Sequence, residues 1–333
     1  MKTVALLAWA LLAAPAAAAT VSLQAAHIYP EDHAWHKGLE KLAEVLRSAP
    51  DGDIELVIHA RGSWGGESDY IQSLRQGLLD MAVIPPGAAA NASKNLAFLD
   101  MMFLWRDRDH WRRVVDGPVG ERIAEMIEAG TSQADAPGLK VLGFWGGARR
   151  HLLGRKRTYG ALNDLAALRI GVQDNALNIE IWRALGLSPV AVPLRNSMAL
   201  MEADIVEGVE AELGNAAALK LAAVAPHVTL TSHAITLRPL VLSEGTWKRL
   251  TAEQRALVTR AAAAATTLVR ELEPAHDDAA VQTLRASGAT FEEFRERSEL
   301  DRRTADLRRR LAEEAGLARL LRAIEEEAGE PTR

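Results

Sequence analysis

An α/β fold in two lobes is predicted by three features of this chain. Residues 21–84 alternate short β-branched runs with helical patterns in the order β-α-β-α-β, and the alternation returns between residues 140 and 210. The chain has 333 residues, more than the ~250–300 at which a single hydrophobic core usually splits in two. Alternating strands and helices imply a mostly parallel sheet with helices on both faces.

The first nineteen residues stand outside that fold. Lys2 precedes an apolar run over residues 4–12, followed by Pro15 and the small residues Ala16 to Ala19. This is the pattern of a secretory signal peptide, with cleavage expected after Ala19. The run is shorter than the ~20 residues a membrane-spanning helix needs. There is no cysteine, so neither a lipoprotein attachment site nor a disulfide is available, although an exported protein could carry one. Removing the signal leaves 314 residues and takes the formal charge from −5 to −6. A mildly acidic chain lacks the basic footprint that nucleic acid requires, so no nucleic-acid partner is expected. The two lobes are expected over residues 20–144 plus about 235–273, and 145–234 plus about 274–333.

Residues 21–26 read as a strand delivering the loop His27-Ile28-Tyr29-Pro30. Leu39, Leu42, Val45 and Leu46 give residues 35–47 a helical apolar face. Asp51-Gly52 is a turn, residues 54–60 a β-branched strand, and Gly62-Ser63-Trp64-Gly65-Gly66 a loop. A helix over 67–76 stops at Gly77, and a strand over 81–84 stops at Pro85-Pro86-Gly87. Ligands of parallel sheets bind beyond the carboxyl ends of the strands, so the loops at His27, Ser63 and Pro85 are where a site is expected. Further strands are predicted over 140–144, 168–172, 189–192 and 206–210. Helices are predicted over 175–185, ended by Gly186, and from Ser197 to Glu202. Residues 227–242 hold two extended stretches, and from Thr246 onward the chain reads as helix. Residues 292–327 form an amphipathic pair, with Leu300, Leu307, Leu311, Leu317 and Leu321 toward the body.

The motifs of catalysis are absent. His33 and His36 beside Glu31 and Asp32 lack the H-E-x-x-H spacing of a zinc site, and Gly143-Phe144-Trp145-Gly146-Gly147 is neither a P-loop nor a dinucleotide fingerprint. No G-x-S-x-G elbow is present. An enzyme is not expected, nor a cofactor or resident metal.

A series of segments in a fixed order carries a family resemblance. They include Gly62-Ser63-Trp64-Gly65-Gly66-Glu67-Ser68, Gln76-Gly77-Leu78-Leu79-Asp80-Met81-Ala82, Leu99-Asp100-Met101-Met102-Phe103-Leu104-Trp105 and Gly147-Ala148-Arg149-Arg150. Asn163-Asp164-Leu165 through Ile170, Leu185-Gly186-Leu187-Ser188-Pro189-Val190, Val206-Glu207-Gly208-Val209-Glu210 and Trp247-Lys248-Arg249-Leu250 follow. Together they resemble the DctP-type solute-binding proteins of bacterial TRAP transporters over nearly the whole chain after the signal. The resemblance implies a two-lobed periplasmic binding protein fold with crossing hinge strands, a long helix and the ligand in the interlobe cleft. It implies a monomeric periplasmic receptor that binds a small organic solute and delivers it to membrane permease subunits. A sensing protein of the same fold, reporting its ligand state to a membrane sensor, is the alternative.

The departures from the family concern the solute. The strand arginine that clamps a carboxylate in the family is Gly171 here. Arg169, two residues earlier on the same strand face, is either its replacement or a surface residue. Arg150 matches the family's second arginine, with Arg149 its competing neighbour. It is either a cationic anchor or a structural arginine paired with a carboxylate. Where the family commonly has Glu-Asn-Pro, this chain has Glu210-Ala211-Glu212. One arginine fewer and one carboxylate more point to a monocarboxylate, a neutral polar solute or one bearing an amine. Calcium or sodium bridging at Glu210 and Glu212 is worth testing. Trp64 and Trp145 are expected beside the ligand or in the core. Gln173, Asp174 and Asn175 serve either the ligand or the cap of the following helix. Glu67 is either an acceptor or a helix-dipole partner.

Overall fold

The computed structural model describes residues 21–49, 53–86, 94–131 and 138–327. The signal-like segment, the Asp51-Gly52 turn and Gly87 lie outside them. The strands are β1 (Val21–Ala26), β2 (Ile54–His59), β3 (Met81–Val83), β4 (Leu139–Gly154), β5 (Arg169–Val172), β6 (Ser188–Ala191), β7 (Gly208–Glu212), β8 (His227–Ser243) and β9 (Thr290–Glu293). Among the described residues they form one path, β2-β1-β3-β8-β4-β7-β5-β6, with β9 added on β8.

Two long strands divide this path into halves. β3 pairs with the end of β8 (Met81↔Leu242), which pairs with the start of β4 (Leu139↔Ser243). The other end of β4 pairs with β7 (Arg150↔Glu212) and with the start of β8 (Gly154↔His227), where β9 joins. Each half is otherwise built of parallel pairs: β1 with β2 and β3 in one, β5 with β6 and β7 in the other. β4 and β8 are therefore the strands that cross between the halves.

Both are longer than the sequence suggested. The expected strand over 140–144 and the Gly147-Ala148-Arg149-Arg150 segment after it belong to one strand of 16 residues, and the two stretches of 227–242 are one of 17. Gly146 and Gly147 have φ of 103° and 98° and produce a bulge, with a register shift between Gly146 and Arg149. A bulge bends a strand without ending it. A Cβ on Gly146 would lie 2.6 Å from the Thr236 carbonyl oxygen, so the crossing requires glycine there. Carbonyls near the bulge find side-chain donors: Arg270 donates to Phe144 O, and Arg108 Nε to Gly147 O at 3.0 Å. Buried backbone groups need such partners.

The helices are α1 (Ala34–Arg47), α2 (Glu67–Gln76), α3 (Arg108–Asp116), α4 (Pro118–Thr131), α5 (Ala176–Ala184), α6 (Ser197–Glu202), α7 (Leu213–Ala218), α8 (Glu244–Arg249), α9 (Ala252–Ala286), α10 (Arg297–Glu314) and α11 (Ala318–Glu326). α9 has 35 residues, roughly 50 Å at 1.5 Å per residue. A capping box of Thr251 and Gln254 starts it. It packs on α1 in one half and on α7 in the other. Gly38 in α1 permits the first contact, because a Cβ there would sit 2.4 Å from Val269 Cγ2. One core runs along one face of both halves. A second surrounds Trp35, Trp145 and α9, and a third lies around β7, α7 and the end of α9. At the C-terminal end Leu300, Leu311, Leu317 and Leu321 are buried, while Leu307 packs partly against the first core.

Candidate functional site

The carboxyl ends of β1 and β7, the crossing strands and α9 converge on a group of buried charges. Glu210 and Glu212 are separated by one residue on β7, so they share a face. Both are buried, as are Arg150 on β4 and His233 and Arg238 on β8. Arg150 is in register with Glu212 on one side and Ala234 on the other, which places its guanidinium between the two glutamates. Its Nη1 is 3.5 Å from Glu212 Oε1, its Nε 3.4 Å from Glu210 Oε2, and its Nη2 donates to the Glu210 carbonyl at 3.2 Å.

Glu210 is tied on every side. The Gln173 backbone N–H donates to Oε1 at 3.1 Å, and His233 Nε2 lies 2.9 Å from Oε2. Thr231 Oγ1 lies 2.7 Å from His233 Nδ1. The tautomer satisfying both contacts donates from Nε2 and accepts at Nδ1. Burial alone would raise the Glu210 carboxyl, but Arg150 and the His233 hydrogen bond outweigh it and hold it down at about 2. Burial lowers His233, against the opposing pull of Glu210. Arg238 Nη2 donates to Glu212 Oε1 at 2.6 Å, and Nη1 is 3.9 Å from Asp100. Burial would lower Arg238, yet Glu212, Asp100 and Glu67 raise it above the usual arginine range. Glu67 is pushed up to about 7 by desolvation, with Arg238 lowering it and Glu212 and Asp100 raising it.

Beside this group lies a cavity of about 290 Å³, lined by Glu212, Tyr29, Trp35, Thr236 and Asn215, with Glu273 and Asp277 from α9. Gly146 and Ala148 of the bulged crossing form part of its wall. Its walls thus come from both halves of the sheet and from the strands between them. The Tyr29 hydroxyl is raised well above its usual value by burial and by Glu212 and Glu67.

The structure brings Arg150, Glu210, Glu212, Glu67 and the Gln173 backbone into one neighbourhood, but not Arg169 or the tryptophans. Arg169 donates to Glu207 and to the Asp204 carbonyl, with its side chain 42% exposed, at the opposite end of β5. Trp145 is fully buried, with its indole N–H donating to Thr266 Oγ1 at 2.9 Å, and does not line the cavity. Trp64 is half-buried against His59. Asn175 caps α5, accepting from the Leu177 N–H at 3.0 Å, and Glu67 opens α2. Ala211 is fully buried. His33 caps α1, and His36 Nδ1 lies 3.0 Å from His27 Nε2. Among the described residues no three His, Cys, Asp or Glu side chains are grouped to hold a metal ion. Sequence reasoning missed Arg238, Asp100, Tyr29 and Glu273. Only Arg238 left a signal, as the one cation in the apolar run over 234–242.

Gly171 is closed to a side chain. A Cβ there would lie 2.9 Å from Val192 Cγ2 and 3.0 Å from Val209 Cγ1. Gly171→Arg should therefore lower stability by at least about 1–3 kcal/mol through overpacking, read from urea unfolding, rather than restore an anion clamp.

A profile of the family described as bacterial extracellular solute-binding protein, family 7 (DctP) matches residues 25–311. The chain belongs to this family. A solute-binding protein of Sulfitobacter sp. (strain NAS-14.1) is 32% identical over 94% of this chain and 93% of its own. The 2,3-diketo-L-gulonate-binding periplasmic protein of Escherichia coli (strain K12) is 25% identical over 73% of this chain and 72% of its own. Among solved structures, a TRAP periplasmic solute-binding protein from Sulfitobacter sp. NAS-14.1 with bound α-D-taluronate superposes with a TM-score of 0.84 at 30% identity, covering 91% of this chain and 97% of that one. One from Pseudomonas putida F1 with bound D-glucuronate gives 0.83 at 25% identity, covering 94% and 98%. These findings bear out the family and the two-lobed α/β fold expected from the sequence. The family consists of solute-binding receptors rather than enzymes. No helix among the described residues is long and apolar enough to cross a membrane.

Proposed function

We propose that this protein is the periplasmic receptor of a TRAP-type transporter, released by cleavage after Ala19, and that its solute is a sugar acid delivered to membrane permease subunits. The observation that carries the reading is the cavity of about 290 Å³ at the crossing strands, with Arg150 and Arg238 buried beside it. Its size is near the lower end of small-ligand pockets, ~300–1,000 Å³, which suits a monosaccharide acid. Uronate complexes of relatives with the same fold supply the chemical class.

In this reading the lobes are residues 20–144 plus about 235–273, and 145–234 plus about 274–333. The solute favours closure only through contacts it gains in the closed state. Residues 144–147 of β4, which run into the bulge, and residues 233–236 of β8 absorb the backbone change.

The test is a thermal-shift screen of the signal-free protein against uronates, aldonates, dicarboxylates, neutral hexoses and amines, each with and without calcium. A ligand at about 100 times its Kd adds roughly 2.7 kcal/mol. Stabilisation confined to uronates or aldonates supports the reading; stabilisation confined to neutral sugars or amines replaces the solute class.

A further inference from the structure

Arg238 holds an edge that its ion pairs use only in part. It is 3% exposed and stands two residues from Thr236, which lines the cavity. On a guanidinium, Nε–H and one Nη–H point the same way and match the two oxygens of a carboxylate. Here Nη2 takes a single oxygen, Glu212 Oε1 at 2.6 Å, while Nε is buried with no hydrogen-bond partner. That same Oε1 also lies 3.5 Å from Arg150 Nη1, so one glutamate oxygen serves two cations. A charged donor buried without a partner is costly, and here it marks a fork engaged on one prong.

Glu212 lines the cavity and Arg238 does not, so the guanidinium edge is reached from the cavity through Glu212. Glu212 also has somewhere to go. Asn215 and Thr236 line the same cavity, and Thr236 Oγ1 is buried without a hydrogen-bond partner. An added anion cannot simply join the group, because Asp100, Glu210 and Glu212 already outnumber Arg150 and Arg238. It must take the place of a carboxylate already present. Gly171 offers no alternative cation, since its Cβ space is filled by Val192 and Val209.

We propose that Arg238 is the carboxylate clamp of this receptor and that Glu212 occupies it when no solute is bound. The solute's carboxylate displaces Glu212 and takes both N–H groups of the Nε–Nη2 edge. This rests on the reading of the solute as a sugar acid and names the residue that selects for its acid group.

The test is calorimetric titration of the signal-free protein with D-glucuronate and D-galacturonate. Glu212→Ala removes the internal competitor and should tighten uronate binding by about tenfold, the worth of one charge-assisted contact. Arg238→Lys keeps the charge and loses the parallel N–H pair, so it should weaken binding by about tenfold or more. A merely electrostatic or structural role predicts little change. Arg238→Met should abolish measurable uronate binding; circular dichroism checks its folding, and the other two variants carry the test if it does not fold. Unchanged or weaker binding in Glu212→Ala, or full affinity in Arg238→Lys, overturns the proposal. A wild type that binds neither uronate sinks the solute class alone. Displacement then still demands that Glu212→Ala gain uronate binding, and no gain overturns it.

Discussion

Arg150→Met is expected to lower the stability of the solute-free protein by about 3–5 kcal/mol at pH 7, the penalty for leaving buried carboxylates without their cation. Glu210 and Glu212 are 2% and 6% exposed, and the Arg150 guanidinium faces both. Glu210 sits at about 2 although its burial pushes the other way, so the cation and hydrogen bonds outweigh desolvation. A carboxyl depressed on folding contributes stability that is present above its unfolded value near 4.5 and lost as pH falls through the folded value. Wild type and variant should therefore differ most above pH 4.5 and converge toward pH 2. Adding Glu210→Gln to the variant removes one stranded charge and should recover part of the loss. Urea unfolding at pH 7 and pH 3 reads both effects, and an unchanged midpoint at pH 7 would show that the pair holds nothing together. A cationic anchor that served only the solute could be replaced with loss of binding and an intact fold. With Nε, Nη1 and Nη2 all directed at protein acceptors, any loss of binding should arrive with a loss of stability.

The sequence carried the alternation of strands and helices because each parallel strand is short and bounded by glycine, proline or a cap. It failed at β4 and β8, where the usual punctuation has another use. The consecutive glycines Gly146 and Gly147 look like the end of a strand by local rules, yet β8 pairs on both sides of them and the strand continues through a bulge. That partner lies some ninety residues away in sequence, beyond any local pattern. The site divided along the same line. Arg150, Glu210 and Glu212 were found because they sit in ordered motifs, and strand alternation put the two glutamates on one face. Arg238 was passed over because β8 reads as core, and a cation within core is explained only by Glu212 arriving from another strand. Trp145 was drawn toward the site by residue type, and Arg169 by sharing a strand face with Gly171. The structure gives each a local partner instead: Thr266 for the indole, and Glu207 with Asp204 for the guanidinium.

Glu273→Gln should stabilise the protein at alkaline pH and leave it unchanged near pH 4.5. Glu273 lies on α9 beside Pro274, 6% exposed, and accepts the Trp35 indole N–H at Oε1 over 2.8 Å. Burial pushes its carboxyl up to about 8; the Trp35 bond and Arg108 pull it down, and Glu212 and Asp277 add to the rise. A group raised on folding contributes stability that is full below the unfolded value and is lost as pH climbs through the folded one. The window thus runs from about 4.5 to about 8. At about 1.36 kcal/mol per unit, even half of that displacement amounts to roughly 2 kcal/mol. Glutamine keeps the carbonyl that Trp35 needs and cannot ionise, so it should gain on the order of that amount at pH 8.5. The histidines tilt stability the other way. Burial lowers His27 to about 4 and His33 and His151 to about 3. Each therefore contributes stability above its unfolded value near 6.5 that is lost as pH falls toward the folded one. The wild type should then be most stable between these opposing slopes, in weakly acidic solution, while Glu273→Gln flattens only the alkaline side. Urea unfolding at pH 5, 7 and 8.5 separates the two. If the variant gains nothing at pH 8.5, Glu273 is ionised and compensated in the folded protein, and the cavity wall that it shares with Glu212 carries one more negative charge than the burial of α9 implies.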